Sequence, residues 1–312
     1  MTKLRQYIFA LLLLAPCSLL LVSAQENDEV GIWSELGIEK AITKKWDVGL
    51  DLEYRAQNRA RFSAGLSTSY KPWKWLKLGI GYNFLYSQRP DKYKNKDEGT
   101  EDDEKWTRGY NLTPEYWFPR HRFSVEATGS IKLWNCIKIS LRERYQITHS
   151  KARTINKLKY RDKYENHTEL ITHEDEITVD YSTIPWTIII PPPTEVHEVL
   201  HEHKEEWVSE EKPAYTDQVL RSRIKFEYDK KRCPFSPFIS AELHNSVKSG
   251  DNMLLQKIRT AAGMTYKFRK HNEVTFAYIL TFDINDIDDE TNEVVRLHDR
   301  MHAINVGYKY SF

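Results

Sequence analysis

The stretch WDVGLDLEYR, residues 46–55, decides the fold. Trp46, Val48, Leu50, Leu52 and Tyr54 alternate with Asp47, Gly49, Asp51, Glu53 and Arg55. A period of two puts one set on each face of a β-strand, one face oily and the other polar. The same alternation recurs outward in both directions. Phe62, Ala64 and Leu66 are interleaved with serines and glycine, and Leu76 to Tyr86 repeat the pattern. Leu220 to Tyr228 alternate with Arg221, Arg223, Lys225 and Glu227, and the chain closes on Ile304, Val306, Tyr308, Tyr310 and Phe312. The runs are about 9–13 residues long, near the ~9–11 that cross a bilayer at a tilt and longer than the ~5–6 usual in soluble sheets.

Backbone groups in hydrocarbon must all be paired, so strands that cross a membrane close into a barrel. The expected fold is therefore all-β: a transmembrane antiparallel β-barrel of about twelve strands. These lie near 30–42, 46–55, 61–70, 75–87, 107–118, 122–134, 137–149, 218–228, 235–244, 256–268, 273–282 and 299–312. Aromatics make up 12% of the chain and gather at run ends (Trp46, Tyr70, Trp75, Tyr228), where an interfacial girdle belongs. Counted back from a periplasmic carboxyl terminus, short turns and long loops alternate correctly in the second half. The first half is one strand out of phase. Either 107–118 belongs to a loop, or a tight turn near the start faces outward.

Composition narrows the class. Lys and Arg number 46 against 45 Asp and Glu, a net charge of +1, which argues against a nucleic-acid binder. Lys3 and Arg5, an apolar core over Ile8 to Val22, and Val22-Ser23-Ala24 predict a secretory signal peptide over 1–24. Cys17 leaves with it. Cys136 and Cys233 remain in short turns on the same side, and an oxidising compartment allows a disulfide there; geometry decides whether one forms.

Residues 150–217 form a long charged extracellular loop. Its first arm, Lys151 to Lys163, is basic; the remainder, Glu165 to Asp217, is acidic, so the arms can pair as a hairpin. His197, His201 and His203 lie among glutamates. Imidazole and carboxylate suit a divalent cation such as zinc, and His197 and His201 would share one face of a helix; solvated histidines are equally ordinary in such a stretch.

Parity places Arg142, Arg144, Arg221, Arg223, Lys225, Glu227, Glu242, Lys257 and Arg259 inside the barrel, facing Asp51, Glu53 and Glu126. These residues make either a basic, anion-favouring pore lining or an Arg/Glu network that fills the lumen and fixes register. The limited bore of a barrel this size favours the second. Glu143 falls on the outward face, a costly place at mid-membrane, which implies an interface or a bulge. No G-x-S-x-G elbow, phosphate loop or nucleotide fingerprint is present, and no serine is spaced to pair with His244 or His302. No catalytic residue and no cofactor are therefore expected.

Several segments, WSELGIEKAITKKWDVGLDLEYR, HRFSVEATGSIKLW, KISLRERYQ, LRSRIKFEY, PFISAEL and INVGYKYSF, resemble an uncharacterised family of Gram-negative outer-membrane barrels known only as a domain of unknown function. The resemblance implies a barrel in the cell outer membrane and no activity. The expected partners are outer-membrane lipid and the barrel assembly machinery, engaged through the last strand and Phe312. The expected role is structural or that of a narrow passive channel. Alternatives are a lipid-modifying membrane enzyme and a surface binder acting through 150–217.

Overall fold

The computed structural model describes residues 29–99, 105–165, 178–180, 187–189, 199–230, 233–247, 253–269, 271–287, 294–297 and 299–312. The segment expected to be a signal peptide and His197 lie outside them.

The strands in chain order are β1 (Glu29–Ala41), β2 (Trp46–Ala56), β3 (Arg61–Trp73), β4 (Leu76–Arg89), β5 (Lys92–Asn95), β6 (Lys105–Thr113), β7 (Tyr116–Leu133), β8 (Ile137–Ser150), β9 (Arg153–Glu165) and β10 (Thr178–Asp180). They continue with β11 (Thr187–Ile189), β12 (Val199–Lys212), β13 (Tyr215–Tyr228), β14 (Phe235–Ser246), β15 (Leu254–Phe268), β16 (Asn272–Asp283), β17 (Asn285–Ile287), β18 (Val294–Arg296) and β19 (Arg300–Ser311). Eleven of them close a barrel in the order β1-β2-β3-β4-β7-β8-β13-β14-β15-β16-β19, with β19 back on β1. The other eight make smaller sheets: β12-β9-β6-β5, β10-β11 and β17-β18.

The barrel has eleven strands because 107–118 is not a barrel strand. Its first part, β6, pairs with β5 and β9 instead. Pro114 breaks the run, since proline cannot donate to a ladder. This choice restores the phase of the first half and turns 57–60 to the end where the long connections leave. In an up-and-down barrel with an odd number of strands, the first and last run the same way. The closing pair is accordingly parallel, with Ile32 opposite Ile304 and Leu36 opposite Tyr308, while the pairs that flank it, β1–β2 and β16–β19, are antiparallel. The chain end is tied in: Phe312 N–H donates to the Glu39 carbonyl and Ala41 N–H to the Phe312 carbonyl, each 3.0 Å.

Side chains sort by parity as period-two strands require. Ile32, Leu66, Ile80, Val125, Leu141 and Ile304 point outward, and Val125 is 60% exposed. An apolar surface of this extent is stable facing lipid rather than water. Glu143 is also outward. No bulge relieves it, since β8 pairs without register shift on both sides. Instead Ser222 Oγ, directly opposite, donates to its carboxylate at 2.6 Å. The barrel has one end with short turns, near Phe312, and one end with the long connections, near Glu29. The turn end holds Cys136 and Cys233. The disulfide left open for this pair is not formed: both thiols are free, and Cys233 Sγ donates to the Phe235 carbonyl along its own turn (3.3 Å).

The second compact unit is built from Arg89–Tyr116 and Ala152–Pro213. Its centre is the pairing of basic β9 with acidic β12, so that Lys163 meets Glu202 at 2.5 Å and Lys157 meets Glu210. Trp106 stacks on Tyr164 and Tyr110 on Tyr160 across β6 and β9. Because 199–212 is a strand, the helix-face argument for His197 and His201 does not apply there.

Candidate functional site: the charged lumen

Inward positions are polar because alternate residues of every strand face away from lipid. They form two ion-pair clusters on facing walls. Glu242 of β14 is the centre of one, its side chain only 5% exposed. Arg142 Nη2 donates to it at 2.7 Å, Arg221 Nε at 2.9 Å and His244 Nε2 at 2.8 Å, while the Arg259 guanidinium lies 4.0 Å away. The register explains the convergence, since Arg223, Glu242 and Arg259 are consecutive cross-strand neighbours and Arg142 is opposite Arg223. Glu53 is the centre of the other cluster: Arg55 donates through Nε and Nη2 at 2.8 Å each, and Arg61 Nη2 at 2.6 Å. Between them Glu126 takes Arg144 Nε at 2.7 Å.

Trp33 of β1 joins the two walls. Its ring packs under Arg55 (3.6 Å) and Arg259 (4.9 Å), and its Nε1 donates to Gln57 Oε1 at 2.9 Å. With Ile279 and Ala303 it forms a small buried apolar core inside the barrel. Cation–π contact of this kind orients a guanidinium without neutralising it.

Open space remains. A cavity of about 530 Å³ is lined by Arg55, Arg61, Arg122, Arg142, Arg144, Arg221, Arg223, Arg259, Lys225 and Lys309 against Glu35, Asp51, Glu53, Glu242 and Glu273. A second, of about 220 Å³, is more balanced, with Glu39, Asp47, Asp51 and Glu126 against Lys77, Arg144 and Lys309. Asp51, Asn83, Arg144 and Lys309 line both, so the two spaces are adjacent.

The charge is distributed unevenly along the barrel. In the turn-end half, cations have carboxylate partners: Lys71–Asp47 at 2.6 Å, Lys132–Asp229 at 2.9 Å, Lys225–Glu227 at 3.0 Å and Lys309–Glu39. In the loop-end half arginines outnumber acids. Of the residues that parity placed inside, Arg142, Arg144, Arg221, Arg223, Lys225, Glu242 and Arg259 line the larger cavity, and Glu227 holds Lys225. Lys257 pairs with Asp283 at 3.0 Å, near the loop end. Sequence reasoning did not single out Arg55, Arg61, Arg122 or Trp33. Their inward parity was visible, but not that β1, β2 and β3 lie across the barrel from β8 and β13, nor that Arg122 lines the same cavity as Arg55 and Arg61.

The histidine cluster falls mostly outside the described side chains. Among the described residues no group of three or more His, Cys, Asp and Glu is placed to hold a metal. The side chain of His201 is outside the described set, and His203 Nδ1 donates to Asp162 Oδ1 at 2.7 Å.

The profile of a family described as "Protein of unknown function (DUF2490)" matches residues 30–292. The chain is a DUF2490 protein. That match spans nearly the whole barrel and both insertions of this DUF2490 member, and it names no activity. No curated protein matches it. Among solved structures it is similar to the CymD monoaromatic hydrocarbon channel over 82% of this chain and 83% of that one, at 7% identity and a TM-score of 0.34.

Proposed function

We propose that this protein is an outer-membrane β-barrel acting as a narrow passive channel that favours anions. The observation that carries the reading is the larger cavity, where cationic side chains are in excess at the loop end of the lumen. A basic lining concentrates anions and repels cations through the field it sets up in a low-dielectric bore. The adjacency of the two cavities across Asp51, Asn83, Arg144 and Lys309 supports a path along the lumen. The ion-pair clusters narrow the bore and hold strand positions, so they serve both structure and selection. The apolar outer wall supports a lipid partner. The terminal strand ending on Phe312 suits recognition by barrel assembly machinery, and the expected signal peptide fits export.

Planar-bilayer recording under a KCl gradient tests the reading. Discrete conductance steps with a reversal potential of anion-selective sign are expected, shifting toward zero in R221Q/R259Q. Folded protein that gives no steps, or steps selective for cations, contradicts it.

A further inference from the structure

Arg221 of β13 is opposite Arg144 of β8, and Arg122 of β7 is opposite Thr148, four residues nearer the loop end of β8. Arg122 Nε donates to Thr148 Oγ1 at 3.1 Å, and Arg122 lines the larger cavity. No carboxylate pairs with it among the described residues. The guanidiniums of Arg61, Arg55 and Arg221 line the same cavity. Of the carboxylates that line this cavity, Glu53 is engaged by Arg55 and Arg61, and Glu242 by Arg142, Arg221 and His244. Arg61 adds a second, independent sign: its buried Nε–H has no acceptor. Like charges gathered in a partly dry lumen repel strongly unless a counter-charge joins them. Guanidinium forks match the oxygens of phosphate and carboxylate groups.

We infer that Arg122, Arg61, Arg55 and Arg221 form a binding site for a multiply charged oxyanion of the phosphate class, carried by a small soluble solute entering from the loop end. This rests on the anion-favouring channel and names its solute class. The cavity lies inside the barrel wall and not on the lipid face, which favours a free phosphate over a lipid headgroup.

The test uses the full mature chain refolded in phosphatidylcholine vesicles. Inorganic phosphate is titrated by calorimetry, with thermal melts at constant ionic strength in chloride. Saturable phosphate binding and a raised Tm are expected. R122Q should bind at least tenfold more weakly and lose the phosphate-dependent shift, while melting no lower than the parent in chloride alone, because it removes an uncompensated charge. R122K, which keeps the charge but not the fork, should fall between. Absent phosphate binding, or binding equal in R122Q, overturns the site. So does an R122Q that melts lower in chloride and keeps the phosphate shift, since Arg122 would then be a structural residue only. A shift seen only in vesicles containing phosphatidic acid overturns the soluble-solute assignment in favour of a lipid headgroup. Anion-selective conductance without phosphate binding would remove the site and leave the channel. Phosphate binding without conductance would do the reverse.

Discussion

At the scale of single residues, Glu242 shows how a polar lumen holds a barrel together. Two arginines and a histidine share one carboxylate with almost no exposure to water. Removing the negative charge leaves buried cations without a partner, a change that costs ~3–5 kcal/mol. Urea unfolding of E242Q in vesicles should show a loss of about that size. D229N breaks the exposed Lys132 pair and should cost less than ~1 kcal/mol. In the second unit Glu210 sits between Lys157 and Lys212, whose ammonium groups hold its carboxyl below the ordinary value of 4.5. A lowered folded pKa means the stabilisation is full above the unfolded value and fades as pH falls through the folded one. The stability difference between the parent and E210Q should therefore be constant above pH 4.5 and close below it. Denaturant titrations across pH 3–7 would show this, and a difference that persists at the acid end would contradict the pairing. Much of the lumen was legible at this scale, since parity alone places Arg142, Arg144, Arg221, Arg223, Lys225, Glu242 and Arg259 inside. What parity cannot give is which wall faces which, and so the importance of Arg55 and Trp33 was hidden.

At the scale of elements, β6 is the instructive case. Trp106, Tyr110 and Leu112 share one face of an alternating run that Arg108 interrupts, yet β6 lies inside a separate sheet, between β5 and β9. Alternation reports a two-faced strand and says nothing of whether the oily face meets lipid or aromatic neighbours such as Tyr164 and Tyr160. The pairing of β9 with β12 was easier to read, because opposite charge along two arms selects register directly. Turn chemistry adds a test. In the three-residue connection from β7 to β8, Trp134 and Asn135 are the central residues of a turn closed by Cys136 N–H on the Leu133 carbonyl, with φ of 45° and 55°, the left-handed region such hairpin turns need. Asparagine tolerates it and a β-branched side chain does not. N135G should keep or raise stability by up to ~1 kcal/mol, and N135V should lower it by ~1–2 kcal/mol, read from unfolding midpoints.

At the scale of the whole barrel, strand number and sidedness are one question. With eleven strands, Glu29 and the turn at Asn58 share the end of the long connections, while Lys44 lies at the end of Phe312. A twelve-strand arrangement would exchange the sides of Asn58 and Lys44. In a background lacking Cys136 and Cys233, N58C should react with an impermeant maleimide on intact cells and K44C only after the envelope is opened. The reverse pattern would restore the twelfth strand. All of this depends on the apolar face of each strand meeting hydrocarbon. Spin labels placed singly from 302 to 310 along β19, in vesicle-inserted protein, measure that most directly. Collision with oxygen dissolved in lipid should be high at 302, 304, 306, 308 and 310 and low at 303, 305, 307 and 309. Uniform accessibility to a water-soluble nickel reagent, with no period of two, would contradict a membrane-spanning barrel.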